Sequence, residues 1–151
     1  MEARLTDVTP TTVYAVSAEE LQGLGMSLRK AEYIKDFASK IVGGEFDLQA
    51  VEQMSDAKAI IALSSLKGIG KWTAEMILLF CLQRPDILSY DDLAIQRGLR
   101  MLYHHCKITR ELFNKYQKRY SPYGSTAAIY LWAIAGGAID GMKDYAPAKK
   151  R

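Results

Sequence analysis

Two short stretches hold residue types that could do chemistry. In LKGIGKWTA, Leu66 to Ala74, Gly68 and Gly70 flank Ile69 and lead into an apolar run. Glycines at that spacing let a chain turn sharply with positive φ. The helix start that follows leaves several backbone N–H groups unpaired. With the helix dipole and Lys71, such a cluster can hold a phosphate oxygen. On spacing alone, a plain connection between two helices is the better reading, and no strand precedes the turn to make it a nucleotide fingerprint. Ile69 would plug into the preceding helix pair and fix the turn. In SYDDLAIQRGL, Asp91 and Asp92 stand where a helix begins. The local sequence favours one of them as an N-cap. A cap needs one carboxylate, though, and two adjacent ones repel unless their roles differ. YHHCK, with His104 and His105, invites a metal reading, but this pattern at an apolar helix end is more commonly surface filler.

The elements that must position these residues read as helices almost throughout. SAEELQGLG pairs Ser17 with Glu20 in a capping box and ends at Gly23 or Gly25. SLRKAEYIKDFASKIVGG sets Ala31, Ile34, Phe37, Ala38 and Ile41 on one face, with Ser27 as cap and Gly43-Gly44 as stop. SDAKAIIALSSL follows, capped by Ser55 or Asp56. KWTAEMILLFCL ends before Arg84-Pro85. DDLAIQRGLRMLYHH, TRELFNKYQKRY and YGSTAAIYLWAIAGG complete the set. No stretch alternates as a strand must, and no fixed-period repeat occurs. The expectation is an all-α domain of seven or eight short helices over residues 1–140, its hairpin near 62–82, and a frayed polar tail over 141–151.

The 151 residues suit one compact domain or two small lobes. With 20 Lys+Arg against 17 Asp+Glu the chain is mildly basic, which permits a polyanionic partner without requiring one. Cys81 and Cys106 are too few to hold an iron–sulfur cluster. Cys81 reads as a buried free thiol, so a reducing, intracellular setting is expected. The longest apolar run, Met76 to Leu82, is too short to span a bilayer, and no basic-then-apolar leader opens the chain.

LKGIGKWTA resembles the helix-hairpin-helix element of the helix-hairpin-helix DNA glycosylase superfamily. RPDILSYDDLAIQRGL is similar to the segment carrying that superfamily's catalytic aspartate. LQGLGMSLRKAEYIKDFASKI resembles the helix before the hairpin, and YSPYGSTAAIYLWAIAGG the closing helix. The motifs run in the superfamily's order from about Thr9 to Gly137, and the branch they resemble most is the 3-methyladenine DNA glycosylase II type. The resemblance implies a helix-hairpin-helix glycosylase fold acting on double-stranded DNA that contains alkylated bases. It places the catalytic carboxylate on Asp92, leaving Asp91 as cap or bystander. Breaking an N-glycosidic bond builds positive charge on the deoxyribose, which a fixed anion stabilises while orienting or deprotonating water. An alkylated purine leaves readily, so no second acid is expected.

Gly68, Ile69, Gly70, Lys71 and Thr73 are the implied DNA-phosphate contacts. In bifunctional members a hairpin lysine attacks the sugar. The matching position here is Trp72, and Lys71 lies about 100° round the helix, which implies hydrolysis without strand cleavage. Trp72 and Trp132, with Tyr90, are the implied base-pocket aromatics, since an extruded cationic base stacks well on indole. Met76 and Gly124 depart from an aromatic and an arginine of relatives. Lys67, Lys71, Arg97, Arg100 and Lys107 are candidates for a DNA track. No cofactor or catalytic metal is called for; the hairpin carbonyls of Leu66 and Gly68 match those that hold K+ or Na+ in relatives.

Relatives carry about two more helices upstream, one supplying the wedge that fills the gap left by the flipped base. MEARLTDVTP resembles the tail of such a helix. The expectation is therefore a bundle lacking part of its second lobe, with TAAIYLWAIAGG covered by self-association or by an upstream segment. The alternative to a glycosylase is a non-catalytic helix-hairpin-helix DNA-binding module or inactive fragment.

Overall fold

The computed structural model describes residues 7–147, and MEARLT at its start lies outside them. The chain forms two compact units, residues 1–71 and 72–151. Among the described residues there are nine α-helices and no strand.

The first unit holds α1 (Pro10–Ala15), α2 (Ala18–Gln22), α3 (Leu28–Val42), α4 (Leu48–Gln53) and α5 (Asp56–Ser64). The expected capping box on α2 is present: the Ser17 amide donates to Glu20 Oε2 at 2.9 Å and the Glu20 amide to Ser17 Oγ at 3.1 Å. Ser27 caps α3 and Ser55 flanks α5. Both α1 and α2 pack on α3, burying Val13, Leu21, Ala31 and Ala38. Lys35 on α3 donates to the carbonyls of Tyr14 and Val16, satisfying the open end of α1. Two helices exceed the sequence expectation: α1, with a Thr9–Thr12 capping box and Pro10 in its first turn, and α4, capped by Asp47. Each has only six residues, too few for hydrophobic periodicity to register.

In the second unit α6 (Lys71–Phe80), which starts on the last residue of the first unit, is followed by α7 (Leu93–Tyr103), α8 (Arg110–Tyr120) and α9 (Gly124–Ala135). Its core includes Leu78, Ile95, Leu99, Ile108, Phe113 and Leu131. Gly98 lets α7 approach α9 closely, since a Cβ there would stand 2.4 Å from the Leu131 carbonyl oxygen. α9 leaves Ile129 and Tyr130 exposed, as is Tyr123 just before it, and a cavity of about 400 Å³ opens beside Tyr103, Tyr120, Tyr123 and Tyr130.

Two expectations are corrected. Cys81 is exposed, because α6 and its apolar stripe stop at Phe80. The tail is not frayed as far as Ala146: Asp144 takes a bidentate pair of bonds from Arg100, at 2.7 and 2.6 Å, and also accepts from the Ala146 amide. Tyr145 lies against His104 with ring centroids 4.8 Å apart.

Candidate active site and nucleic-acid turn

The turn after α5 is built by local bonds. The Leu66 amide donates to Leu63 O at 3.1 Å and the Ile69 amide to Leu66 O at 3.2 Å. Gly68 has φ +80, and a Cβ on it would lie 2.2 Å from the ring of Tyr33 on α3. Only glycine satisfies both conditions. Gly70 differs from the expectation. It is not in the left-handed region, and a Cβ there would meet nothing within 4 Å. Ile69 is half-buried beside a cavity of about 210 Å³, which Tyr33, Ile34 and Phe37 of α3 also line. Lys67 is held by Asp36 at 3.0 Å, while Lys71 is exposed.

In the second unit Asp92 is 6% exposed and does two things at once. Its Oδ1 accepts from the amides of Ala94 at 2.8 Å and Ile95 at 2.9 Å, making Asp92 itself the N-cap of α7. Its Oδ2 accepts from Trp72 Nε1 at 2.9 Å. Of the two expectations for Asp91, cap or bystander, the cap is corrected: Asp91 is exposed, 3.8 Å from Arg110. The adjacent carboxylates avoid repulsion because one is turned inward among donors and the other outward.

The loop that delivers Asp92 is pinned at every third residue. Asp86 accepts from the Gly124 amide at 3.0 Å and from Ser121 Oγ, neutralising the start of α9. A Cβ on Gly124 would stand 2.7 Å from Asp86 Oδ1, so an arginine there would need the loop to move. Ser125 receives the Ile87 amide and donates to the Arg84 carbonyl. Ser89 Oγ donates to Glu75 on α6, and both are buried. Asp92 is the third point.

The implied base-pocket aromatics separate. Trp72 is 47% exposed, its N–H turned to the carboxylate. Trp132 stacks on Phe80, with centroids 5.5 Å apart and planes at 12°. Phe80 ends α6, about 12 Å along the axis from Trp72. The Tyr90 ring is not free, because Arg110 lies over it at 3.5 Å and Phe113 meets it edge-on. Thr73 is half-buried in the first turn of α6.

The pattern described as "HhH-GPD superfamily base excision DNA repair protein" matches residues 1–122. The chain belongs to this superfamily. It is 34% identical over 126 residues to DNA-3-methyladenine glycosylase 1 of Schizosaccharomyces pombe, covering 82% of this chain and 55% of that one. Among solved structures, a Bacillus halodurans DNA-3-methyladenine glycosidase superposes with a TM-score of 0.75 at 37% identity, over 86% of this chain and 60% of that chain. The S. pombe 3-methyladenine DNA glycosylase in complex with abasic DNA gives 0.71 at 34% identity, over 83% and 62%. The chain thus spans little more than half the length of these relatives. Its fold is the all-α one expected.

Within this superfamily frame, several site features were hidden in the sequence. Leu93, directly after the carboxylate, is 80% exposed. Glu75 and Ser89 are far apart in sequence, and the only signal was one acid inside an apolar run. Two candidates for the DNA track meet an acid: Arg100 is bound to Asp144, and Arg97 lies 3.9 Å from the same carboxylate. His105 Nε2 meets Tyr116 Oη at 2.6 Å, and His104 closes α7 in the left-handed conformation. The histidines thus have structural duties. Among the described residues no metal-sized cluster of three His, Cys, Asp or Glu side chains forms, and no helix is long and apolar enough to cross a membrane.

Proposed function

We propose that the chain is a monofunctional DNA glycosylase of base-excision repair, hydrolysing the N-glycosidic bond of alkylated purines such as 3-methyladenine. The observation that carries this reading is the buried Asp92 carboxylate, fixed between two α7 amides and the Trp72 indole. As the base leaves with the bonding electrons, positive charge grows at the sugar's anomeric carbon. A carboxylate about 4 Å away, at an effective dielectric near 20, stabilises that charge by about 4 kcal/mol, about a thousandfold in rate. Because Asp92 is held before substrate arrives, no reorganisation is needed at the moment of reaction. Water then attacks the anomeric carbon, oriented by the carboxylate, and its proton leaves to Asp92 or to solvent.

Trp72 stands where bifunctional relatives have their lysine. An indole N–H is no nucleophile, so no Schiff base forms and the strand is left uncut. Its exposed ring is the stacking surface for the extruded base. Gly68, Ile69, Gly70, Lys71 and Thr73 hold the strand's phosphates. The carbonyls of Leu66 and Gly68 are hard oxygen donors suited to K+ or Na+, although Leu66 O already takes one amide. Such an ion would support the phosphate grip and take no part in bond cleavage. The setting is intracellular, where damaged DNA is found.

The test is release of free base from methylated duplex DNA by this chain and by an N-terminally extended version, with Asp92→Asn of each. Release by the parent and none by Asp92→Asn, at equal DNA affinity, is the expected result. Salt-dependent binding with no release from either length would instead select a non-catalytic DNA-binding module.

A further inference from the structure

Two side-chain bonds that tie the loop carrying Asp92 to α6 stand one above the other, and the Trp72 bond is the one that touches the reacting group. The other joins Glu75 to Ser89. Glu75 lies three residues after Trp72 on α6, and Ser89 three residues before Asp92 on the loop. The two bonds are therefore successive rungs between the same segments. Three residues of helix rise about 4.5 Å, so a displacement at the lower rung passes almost directly to the upper.

Both members of the lower rung are buried, Glu75 to 7% exposure and Ser89 to 0%. Placing an acid in an apolar helix costs free energy that a hydrophobic side chain of the same volume would not. What the acid offers is direction, because its oxygen accepts a hydroxyl at one distance and angle. On the loop, Asp86 fixes the start against α9, and Ser89 fixes the middle against α6.

We propose that Glu75 is a positioning residue, which through Ser89 sets the register of the loop so that Asp92 Oδ2 meets the Trp72 indole. The kinetic consequence rests on Asp92 being the catalytic carboxylate; the geometric one does not. A misplacement of about 1 Å at a reacting group can cost about a hundredfold in rate, so the register matters to chemistry well before it matters to folding.

The experiment is ¹H–¹⁵N spectroscopy of the intact chain, whose two tryptophans give two indole N–H signals, assigned with Trp132→Phe. Ser89→Ala and Glu75→Ala are expected to move the Trp72 indole signal while leaving Trp132 in place. Glu75→Gln, which keeps a carbonyl acceptor for Ser89, is expected to restore it. Base release should fall about ten- to a hundredfold in the two alanine variants, with affinity for abasic-site DNA within twofold. A Trp72 signal unmoved in folded Ser89→Ala would overturn the proposal, as would failure of Glu75→Gln to rescue it. If Glu75→Ala does not fold, Ser89→Ala, which removes one oxygen, decides alone. If the parent releases no base, the indole signals still decide the positioning role, and only the catalytic reading falls.

Discussion

In the turn at residues 65–70 the chain is held from outside by an aromatic ring, with Tyr33 lying where a Gly68 side chain would be. The loop at residues 84–92 is held instead by polar ties, through Asp86, Ser89 and Asp92. A ring constrains shape without taking up backbone N–H groups, which would suit the proposed contact with phosphate oxygens. Hydrogen bonds constrain direction, which would suit the proposed role of Asp92 as a single charge facing one atom. The two regions thus differ in what fixes them: a ring packed on a glycine in one, and donors on both carboxylate oxygens in the other.

The largest effect that would test this contrast is at the charge. Asp92→Asn keeps a competent cap but sets its Nδ2 against the Trp72 N–H; it is expected to lower base release about a hundred- to a thousandfold, read by single-turnover assay, at a stability cost of about 1–3 kcal/mol. Gly68→Ala comes next. It meets both the left-handed backbone penalty and the Tyr33 ring, and should cost about 2–4 kcal/mol of stability, with weaker, less salt-dependent DNA binding. Tyr33→Phe should be close to neutral, since packing does the holding. Gly124→Ala drives a methyl toward Asp86 Oδ1 and should cost about 1–3 kcal/mol, measured by denaturant titration, with a lower release rate. Equal losses of DNA affinity in the Gly68 and Gly124 variants would break the contrast.

The smallest effect concerns acid. The Arg100 guanidinium, by its hydrogen bonds, holds Asp144 below its ordinary value of 3.8. The pair therefore contributes fully above that value and is lost as pH falls through the lower, folded one. Asp144→Asn should cost under about 1 kcal/mol at neutral pH, and its difference from the parent should shrink in acid, followed by melting temperature against pH.

Much of this was legible in the residues. Ser17 with Glu20, Ser27 and the Gly43-Gly44 pair marked helix ends because caps act over three or four positions, well within what a linear reading sees. Gly68, Trp72 and Asp92 were legible as a motif. What escaped were bonds made over distance. Arg100 reads as a free cation until Asp144, 44 residues later, is seen to pair with it. Glu75 reads as an interruption until Ser89 meets it. Gly124 reads as a lost arginine until Asp86 is found in the space. In Asp91 and Asp92 the sequence left the cap open, and the structure puts it on Asp92, because adjacency in sequence says nothing of which side chain turns inward.

The double duty of Asp92 has a consequence for how such chains change over time. An acid that starts a helix is worth keeping for folding alone, so its persistence in a descendant is no badge of activity. A more telling mark of a working enzyme would be the indole opposite it, which the helix does not need in order to form.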